Sequence, residues 1–221
     1  MGHSRGVAVC LLAAAAALGQ PRIGEVLSAV EKRYNHLRTL EVSFEQIYWA
    51  PGRPPRAERG IAYFRKPRLM RWEYHEPAGK LFVSDGSSVW FYSPLSRRVE
   101  KMPLRASGDW RAPLAVLMGE LDFRRFFREF RGRHQDDAIW IQALPKQETA
   151  AYSHVELLVG PDYSIRRLVI HGRDQSRMEF RFAGERLNPA VPMRLFRFPP
   201  PPGVEVVEVG VGQEGGEQSR D

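Results

Sequence analysis

The sequence has almost no cysteine and almost no long hydrophobic run, and both absences exclude classes of protein. Cys10 is the only cysteine in 221 residues, and it lies inside the one extended apolar run, residues 7–18. That run is too short to span a membrane comfortably, because a spanning helix needs about 20 apolar residues. A chain that begins after residue 19 contains no cysteine. It can therefore form no disulfide and perform no thiol chemistry.

The N-terminal segment has the composition of a secretion signal. Arg5 precedes the apolar run, and the small residues Ala17 and Gly19 lie where signal peptidase would cleave. We therefore predict that residues 1–19 are a cleaved signal peptide and that the mature chain begins at Gln20. An exported domain of this size without cysteine is typical of the bacterial periplasm, and we expect the protein to be there.

The sequence also lacks any concentrated block of positive charge. Lys and Arg total 33 against 26 Asp and Glu, which gives a formal net charge of +7. These residues are interspersed, and no run of five or more basic residues occurs. This pattern is typical of a solvated basic surface. We expect no nucleic-acid partner.

No set of residues typical of catalysis or metal binding converges in the sequence. Ser84-Asp85-Gly86 lacks the G-x-S-x-G pattern of a nucleophilic serine, and there is no glycine-rich phosphate loop. The histidines after residue 19 lack the spacing of metal-binding motifs. They are His36, His75, His134, His154 and His171. We expect no enzymatic activity, no metal site and no cofactor.

What the sequence does contain is a concentration of aromatic residues between residues 60 and 94. Four short runs of aromatic and β-branched residues are separated there by turn residues, among them Asp85-Gly86, a strong hairpin signal. The pattern predicts an antiparallel meander of four strands. Met70, Trp72 and Tyr74 alternate with charged residues and so share one face. That face either packs on a core or lines a groove for an apolar ligand.

The flanking segments complete a mainly β (α+β) pattern. Apolar residues at helical spacing predict an amphipathic helix from residue 23 to residue 37, followed by a strand over residues 40–49. Beyond the meander we expect a strand over residues 99–104, a helix after Pro113, a second helix over residues 121–130 and about five further strands.

About eleven antiparallel strands predict one unclosed β-barrel, with the helices as the only candidates for a lid on its concave side. We expect a single domain over residues 20–208. From Gly210 onward the chain is mostly Gly, Gln and Glu, so residues 209–221 are predicted to be a disordered polar tail.

The central motifs resemble those of the periplasmic outer-membrane lipoprotein carrier family, LolA. From Gly60 the chain reads G-x-x-Y-F-R-K-P and then R-W, followed by V-S-D-G and W-F-Y-x-P. Phe44-x-Gln46 is similar to the first strand of that family, and Phe196-Arg197-Phe198-Pro199 is similar to its closing segment. The resemblance covers about residues 23 to 208 and implies an unclosed barrel with a helical lid over an apolar cavity.

The resemblance also implies a function. Members of the family shield the acyl chains of lipoproteins, which they take from an inner-membrane ABC-type release complex and hand to an outer-membrane receptor lipoprotein. We expect a monomer with acylated lipoproteins as cargo. The alternative is a lipid- or lipoprotein-sensing or general lipid-transfer module of the cell envelope with the same fold.

The resemblance assigns roles to particular residues. Lys66 takes the place of the family arginine that bonds the lid helices closed, although an ammonium is a point charge and not a planar fork of donors. The residues expected to line the acyl-chain cavity are Phe44, Tyr63, Met70, Trp72, Tyr74, Val83, Trp90, Leu114, Leu117 and Met118.

Overall fold

The computed structural model describes residues 22–104 and 121–209, and these residues fold mainly into β-strands. The elements in chain order are α1 (Ile23–Asn35), β1 (Thr39–Trp49), β2 (Arg56–Arg65), β3 (Leu69–Glu76), β4 (Leu81–Asp85), β5 (Ser88–Ser93), β6 (Arg98–Pro103), α2 (Phe123–Phe126), β7 (Phe127–Gln135), β8 (Ala138–Pro145), β9 (Tyr152–Val159), β10 (Ile165–Gly172), β11 (Arg177–Leu187), a 3-10 turn (Met193–Phe196) and β12 (Glu205–Glu208).

All twelve strands belong to one sheet, in the order β12-β6-β5-β4-β3-β2-β1-β11-β10-β9-β8-β7. Neighbouring strands are antiparallel except for β12, which runs parallel to β6. The first strand, β1, pairs with both β2 and β11 and so joins the two halves of the sheet. Among the described residues the two outermost strands, β12 and β7, do not pair with each other. The prediction of a mainly β, unclosed sheet is therefore confirmed, with twelve strands rather than eleven.

Helix α1 forms where the sequence predicts it. Glu25 lies in its first turn and Lys32 and Arg33 in its last, which complements the helix dipole. One stripe of the helix is buried: Val26, Leu27, Val30 and Tyr34. This stripe merges with alternate side chains of the strands into one hydrophobic core. We call the face of the sheet that contributes to this core the inner face, and the opposite one the outer face.

A glycine at the start of the central motif allows the inner face to pack closely. A Cβ at Gly60 would lie 1.9 Å from the backbone oxygen of Glu73 and 2.9 Å from the Phe44 ring. Any larger residue would collide with the neighbouring strand, because backbone atoms cannot move aside cheaply. This close approach is the physical reason for glycine at that position.

The prediction of a helix over residues 121–130 is wrong in its second half. Helix α2 ends at Phe126, and the chain continues as β7, which pairs with β8 from Phe127 opposite Pro145 to Gln135 opposite Ala138. The phenylalanine spacing fits a helix, but pairing with β8 supplies a ladder of hydrogen bonds that local spacing does not reveal. The helix expected after Pro113 lies outside the described residues.

The two ends of the chain are described only in part. The predicted signal peptide and residues 210–221 lie outside the described residues. Val209, which was expected to begin the disordered tail, donates its N–H to the backbone oxygen of Lys101 at 2.8 Å and packs against the core. The ordered domain therefore extends at least one residue further than predicted. Neither described helix is long and apolar enough to cross a bilayer.

Candidate functional site

An aromatic cluster occupies the centre of the inner face. The Phe44 ring centroid lies 4.6 Å from that of Trp72 and 5.0 Å from that of Tyr74, and Trp72 lies 5.5 Å from Phe180. The rings meet edge to face, which is a favourable arrangement for aromatic pairs. Trp72 is only 1% exposed, so this cluster is a closed and tightly packed part of the core.

Four of the residues expected to line a cavity lie in or beside this aromatic cluster. Phe44, Met70, Trp72 and Tyr74 are all on the inner face and are between 1% and 8% exposed. The structure thus brings them together, as the two-residue period of a strand predicts. It places them within packed core rather than on an open surface.

Three other expected cavity residues lie on the outer face, and for these the expectation is wrong. In the strand register Tyr63 is opposite Arg71, Arg71 is opposite Val83, and Val83 is opposite Trp90. Directly opposed residues point to the same side of a sheet. Because Arg71 adjoins Trp72 in sequence, this whole row points away from the inner face.

The outer-face residues Val83, Arg71 and Trp90 make structural contacts of their own. Val83 is fully buried there, and the 3-10 turn (Met193–Phe196) contacts β3 and β4, with Arg71 donating to the backbone oxygen of Leu195 at 3.0 Å. The Trp90 indole N–H donates to Asp85 at 3.0 Å. The remaining expected residues, Leu114, Leu117 and Met118, lie outside the described residues.

An open cavity of about 630 Å³ adjoins the aromatic cluster on the inner face. It lies between the two halves of the sheet, since its walls come from β1, β2, β5 and β6 on one side and β9, β10 and β11 on the other. Its apolar walls are Tyr48, Phe91, Tyr152, Ile170 and Met178. Its polar lining includes Gln46, Arg56, Lys80, Glu100 and Arg173. The volume is within the range of roughly 300–1,000 Å³ that small-ligand sites occupy.

A hydrogen-bonded chain separates the aromatic cluster from this cavity. The Tyr74 hydroxyl donates to Gln46 at 2.8 Å, Gln46 donates to Glu58 at 3.3 Å, and the Lys80 ammonium donates to the same Glu58 carboxylate. Burial lowers the pKa of Lys80, and burial together with the charge of Glu58 raises the pKa of Tyr74. These buried polar groups satisfy one another, as buried polar groups must.

The C-terminal end of α1 is fastened to the sheet from two sides. The Lys66 ammonium donates to the backbone oxygen of Tyr34 at 2.9 Å. The Tyr34 hydroxyl donates to Glu185 and accepts the N–H of Ile165 at 2.9 Å, while Arg33 donates to Glu185 at 2.9 Å. Burial and the charge of Glu185 raise the pKa of Tyr34. Lys66 therefore contacts α1, one of the helices that were candidates for the lid.

The cavity walls were not predicted from the sequence. The alternation of Met178 with Phe180 and Phe182 predicts a strand with one apolar face, and Tyr48 continues the alternation of Phe44. What the pattern does not contain is the pairing of β1 with β11, which places Tyr48 opposite Met178. Tyr152 has no local signal, because it lies at the first residue of β9.

Together these features define a mainly β fold built on one unclosed sheet, with an apolar inner face, a covering helix and an adjoining cavity. The family model described as outer membrane lipoprotein carrier protein LolA matches residues 35–199. The chain belongs to the outer-membrane lipoprotein carrier family, LolA.

Individual proteins are similar over most of the chain. An outer-membrane lipoprotein carrier protein of Dechloromonas aromatica is 28% identical over 186 residues, which cover 81% of this chain and 87% of that protein. One from Xanthomonas campestris is 31% identical over 179 residues, with 77% and 82% covered. The crystal structure of an uncharacterised conserved protein from Thermus thermophilus has the same fold, with a TM-score of 0.51, 15% identity and coverage of 84% and 98%.

Proposed function

We propose that this protein carries acylated lipoproteins through the periplasm, with their acyl chains held in the cavity on the inner face. A carrier is favoured over an enzyme because the family is named for lipoprotein carriage. Export after cleavage of residues 1–19 places the carrier between the two membranes. Its cargo comes from an inner-membrane ABC-type release complex and goes to an outer-membrane receptor lipoprotein.

The observation that carries this proposal is the open cavity of about 630 Å³ beside a closed aromatic cluster. Each CH₂ group removed from water contributes about 0.8 kcal/mol. The chains of an acylated protein therefore need an apolar enclosure to cross an aqueous space. Tyr48, Phe91 and Met178 supply such walls, and Met178 and Phe91 are only partly buried.

The proposal predicts that a carboxylate in the apolar wall of the cavity weakens acyl-chain binding without preventing folding. Met178→Glu introduces a carboxylate into the apolar wall, and an acyl chain could pack there only by removing the water that solvates this charge. We expect binding of a fluorescent fatty-acyl probe to weaken at least about tenfold, or about 1.4 kcal/mol. The melting temperature of the variant should stay close to that of the wild type, because the cavity is open to water.

Three further variants make this test specific. Leu95→Glu adds the same charge at a side chain that is 85% exposed and should bind the probe normally. Met178→Leu keeps an apolar wall and should also bind. Met70→Glu places the charge in the packed cluster and should unfold the protein instead. Undiminished probe binding by folded Met178→Glu would contradict the assignment of the cavity.

A further inference from the structure

Three potential metal ligands meet on the outer face, across the sheet from the cavity. His154 of β9 is directly opposite His171 of β10, and Glu156 lies two residues after His154 and so points to the same face. Their possible ligand atoms all lie within 4.8 Å of one another. We propose that His154, Glu156 and His171 bind a divalent transition-metal ion of the Zn²⁺ type.

The hydrogen bonds around His154 leave one of its ring nitrogens ready to bind a metal. The register of β9 against β10 shifts at Ser153, whose hydroxyl lies 3.1 Å from the backbone oxygen of His171 and 3.0 Å from His154 Nδ1. A serine hydroxyl has one proton, which it donates to the carbonyl oxygen. It can therefore only accept from His154, which places the ring proton on Nδ1 and a lone pair on Nε2.

The ring of His171 completes the site with Glu156. The two imidazoles stack nearly parallel with centroids 4.0 Å apart, and His171 Nε2 lies 3.0 Å from the Glu156 carboxylate. A metal ion lies in the plane of each ring that binds it, so the His171 ring must turn out of the stack for both histidines to bind one ion. Without metal, Nε2 carries a proton that it donates to Glu156. A metal ion between these groups replaces that proton and recruits both the nitrogen and a carboxylate oxygen.

The ligand types and exposure suit zinc. Two imidazole nitrogens and one carboxylate oxygen form a known three-ligand set for Zn²⁺, with water in the fourth position. His171 and Glu156 side chains are 27% and 29% exposed, so water and ions reach them.

The charged side chains next to the site lie mainly on the β11 side. The nearest cross-strand neighbour on the β11 side is Arg177, which is opposite His171. Its guanidinium donates to buried Glu179 at 2.6 Å and lies 4.5 Å over the Trp49 ring. Arg167 and Arg181 pair with the same carboxylate, so Glu179 compensates the charge of Arg177 only in part. On the β8 side Glu156 is opposite Gln142, which is uncharged. The metal would join β9 to β10 without involving the cavity.

The test is calorimetric titration of Zn²⁺ into the untagged mature protein after treatment with a chelator. We expect one equivalent to bind to the wild type. His154→Gln and Glu156→Gln should each weaken binding at least about tenfold, and Ser153→Ala should weaken it by roughly 10–100-fold through loss of ring orientation. The matched control is His134→Gln, at an exposed position on β7, which should bind as the wild type does.

Two further measurements keep this test decisive. The visible spectrum of bound Co²⁺ should show nitrogen and oxygen ligation in the wild type and should change in His171→Gln. Melting in the absence of metal establishes that each variant folds. If a histidine variant does not fold, Glu156→Gln still tests the site, because it changes a partly exposed side chain. Absence of saturable binding, or an equal loss in His134→Gln, would overturn the proposal.

Discussion

At the scale of single residues, Asp85 shows how one side chain fixes a hairpin. Its carboxylate accepts the N–H groups of Ser87 and Ser88 at 2.8 and 2.7 Å and the Trp90 indole N–H at 3.0 Å. Burial on its own would raise the pKa of Asp85. The hydrogen bonds from Ser88, Trp90 and Ser87 outweigh that effect and lower the pKa to about 2.

This lowered pKa predicts a pH dependence of stability. A carboxyl with a folded pKa below its unfolded value of about 3.9 stabilises the fold above that value, and the stabilisation is lost as the pH falls towards about 2. Asp85→Ala should therefore lower the free energy of unfolding by ~2 kcal/mol at pH 7, after allowance for partial solvent screening. Denaturant unfolding at pH 7 and pH 3 measures the difference.

At pH 3 the gap between wild type and Asp85→Ala should be clearly smaller than at pH 7. Glu205→Ala, at an exposed carboxylate of β12, is the control and should change stability little at either pH. A gap for Asp85→Ala that is the same at both pH values would show that its hydrogen bonds do not depend on the charge.

Single residues also show where sequence reasoning ends. The period of two correctly predicts that Met70, Trp72 and Tyr74 share a face, because that follows from strand geometry alone. In an aromatic doublet such as Trp90-Phe91, however, both residues are equally apolar and one must face outward. Phe91 lines the cavity and Trp90 the outer face, and only the register against β4 and β6 decides this.

The histidine–glutamate cluster is a second example of the same limit. His154 and Glu156 form an H-x-E pair in the sequence, but His171 joins them only through the pairing of β9 with β10. Motif spacing detects ligands that share one element or one loop. Ligands that lie side by side on neighbouring strands leave no fixed spacing in the sequence.

At the scale of elements, helix α1 is held by Lys66 at its C-terminal end. A hydrogen bond to a charged group contributes about 1.5–3 kcal/mol. Lys66→Leu removes the bond to the Tyr34 carbonyl oxygen without removing the Tyr34 hydroxyl bond to Glu185. We expect the amides of α1 (Ile23–Asn35) to exchange with solvent deuterium at least about tenfold faster, while the strands keep their protection.

The same variant tests whether α1 closure contributes to delivery. If the closed, unliganded state helps to expel acyl chains, Lys66→Leu should release cargo to the outer-membrane receptor more slowly while binding it normally. Lys146→Leu, at an exposed lysine, is the control. Unchanged exchange of α1 together with unchanged release would exclude Lys66 as a tether of the helix.

Elements with strong periodicity were predicted well, and those whose identity depends on a neighbour were not. The apolar stripe of α1 and the alternation of β3 and β11 are carried by their own residues. Strand β7 is different, because most of its side chains are exposed and its pairing with β8 determines its conformation. The same holds for β12, which pairs parallel with β6 from far along the chain.

At the scale of the whole molecule, the cavity is a product of topology. Strand β1 connects a half built from β2 to β6 with a half built from β7 to β11, and the cavity lies where these halves face each other. The family resemblance predicted an unclosed barrel with an apolar cavity. It did not predict that the aromatic cluster is closed and that the open space has a different set of walls.

The central claim is that these walls hold the acyl chains of lipoproteins, and native mass spectrometry of the protein recovered from a bacterial envelope tests it most directly. The account predicts a one-to-one complex of the wild type with acylated lipoprotein, and loss of that complex in folded Met178→Glu but not in Leu95→Glu. Recovery of free lipid alone would instead indicate a general lipid-transfer module. Recovery of no acylated cargo, or equal cargo on Met178→Glu, would contradict the account.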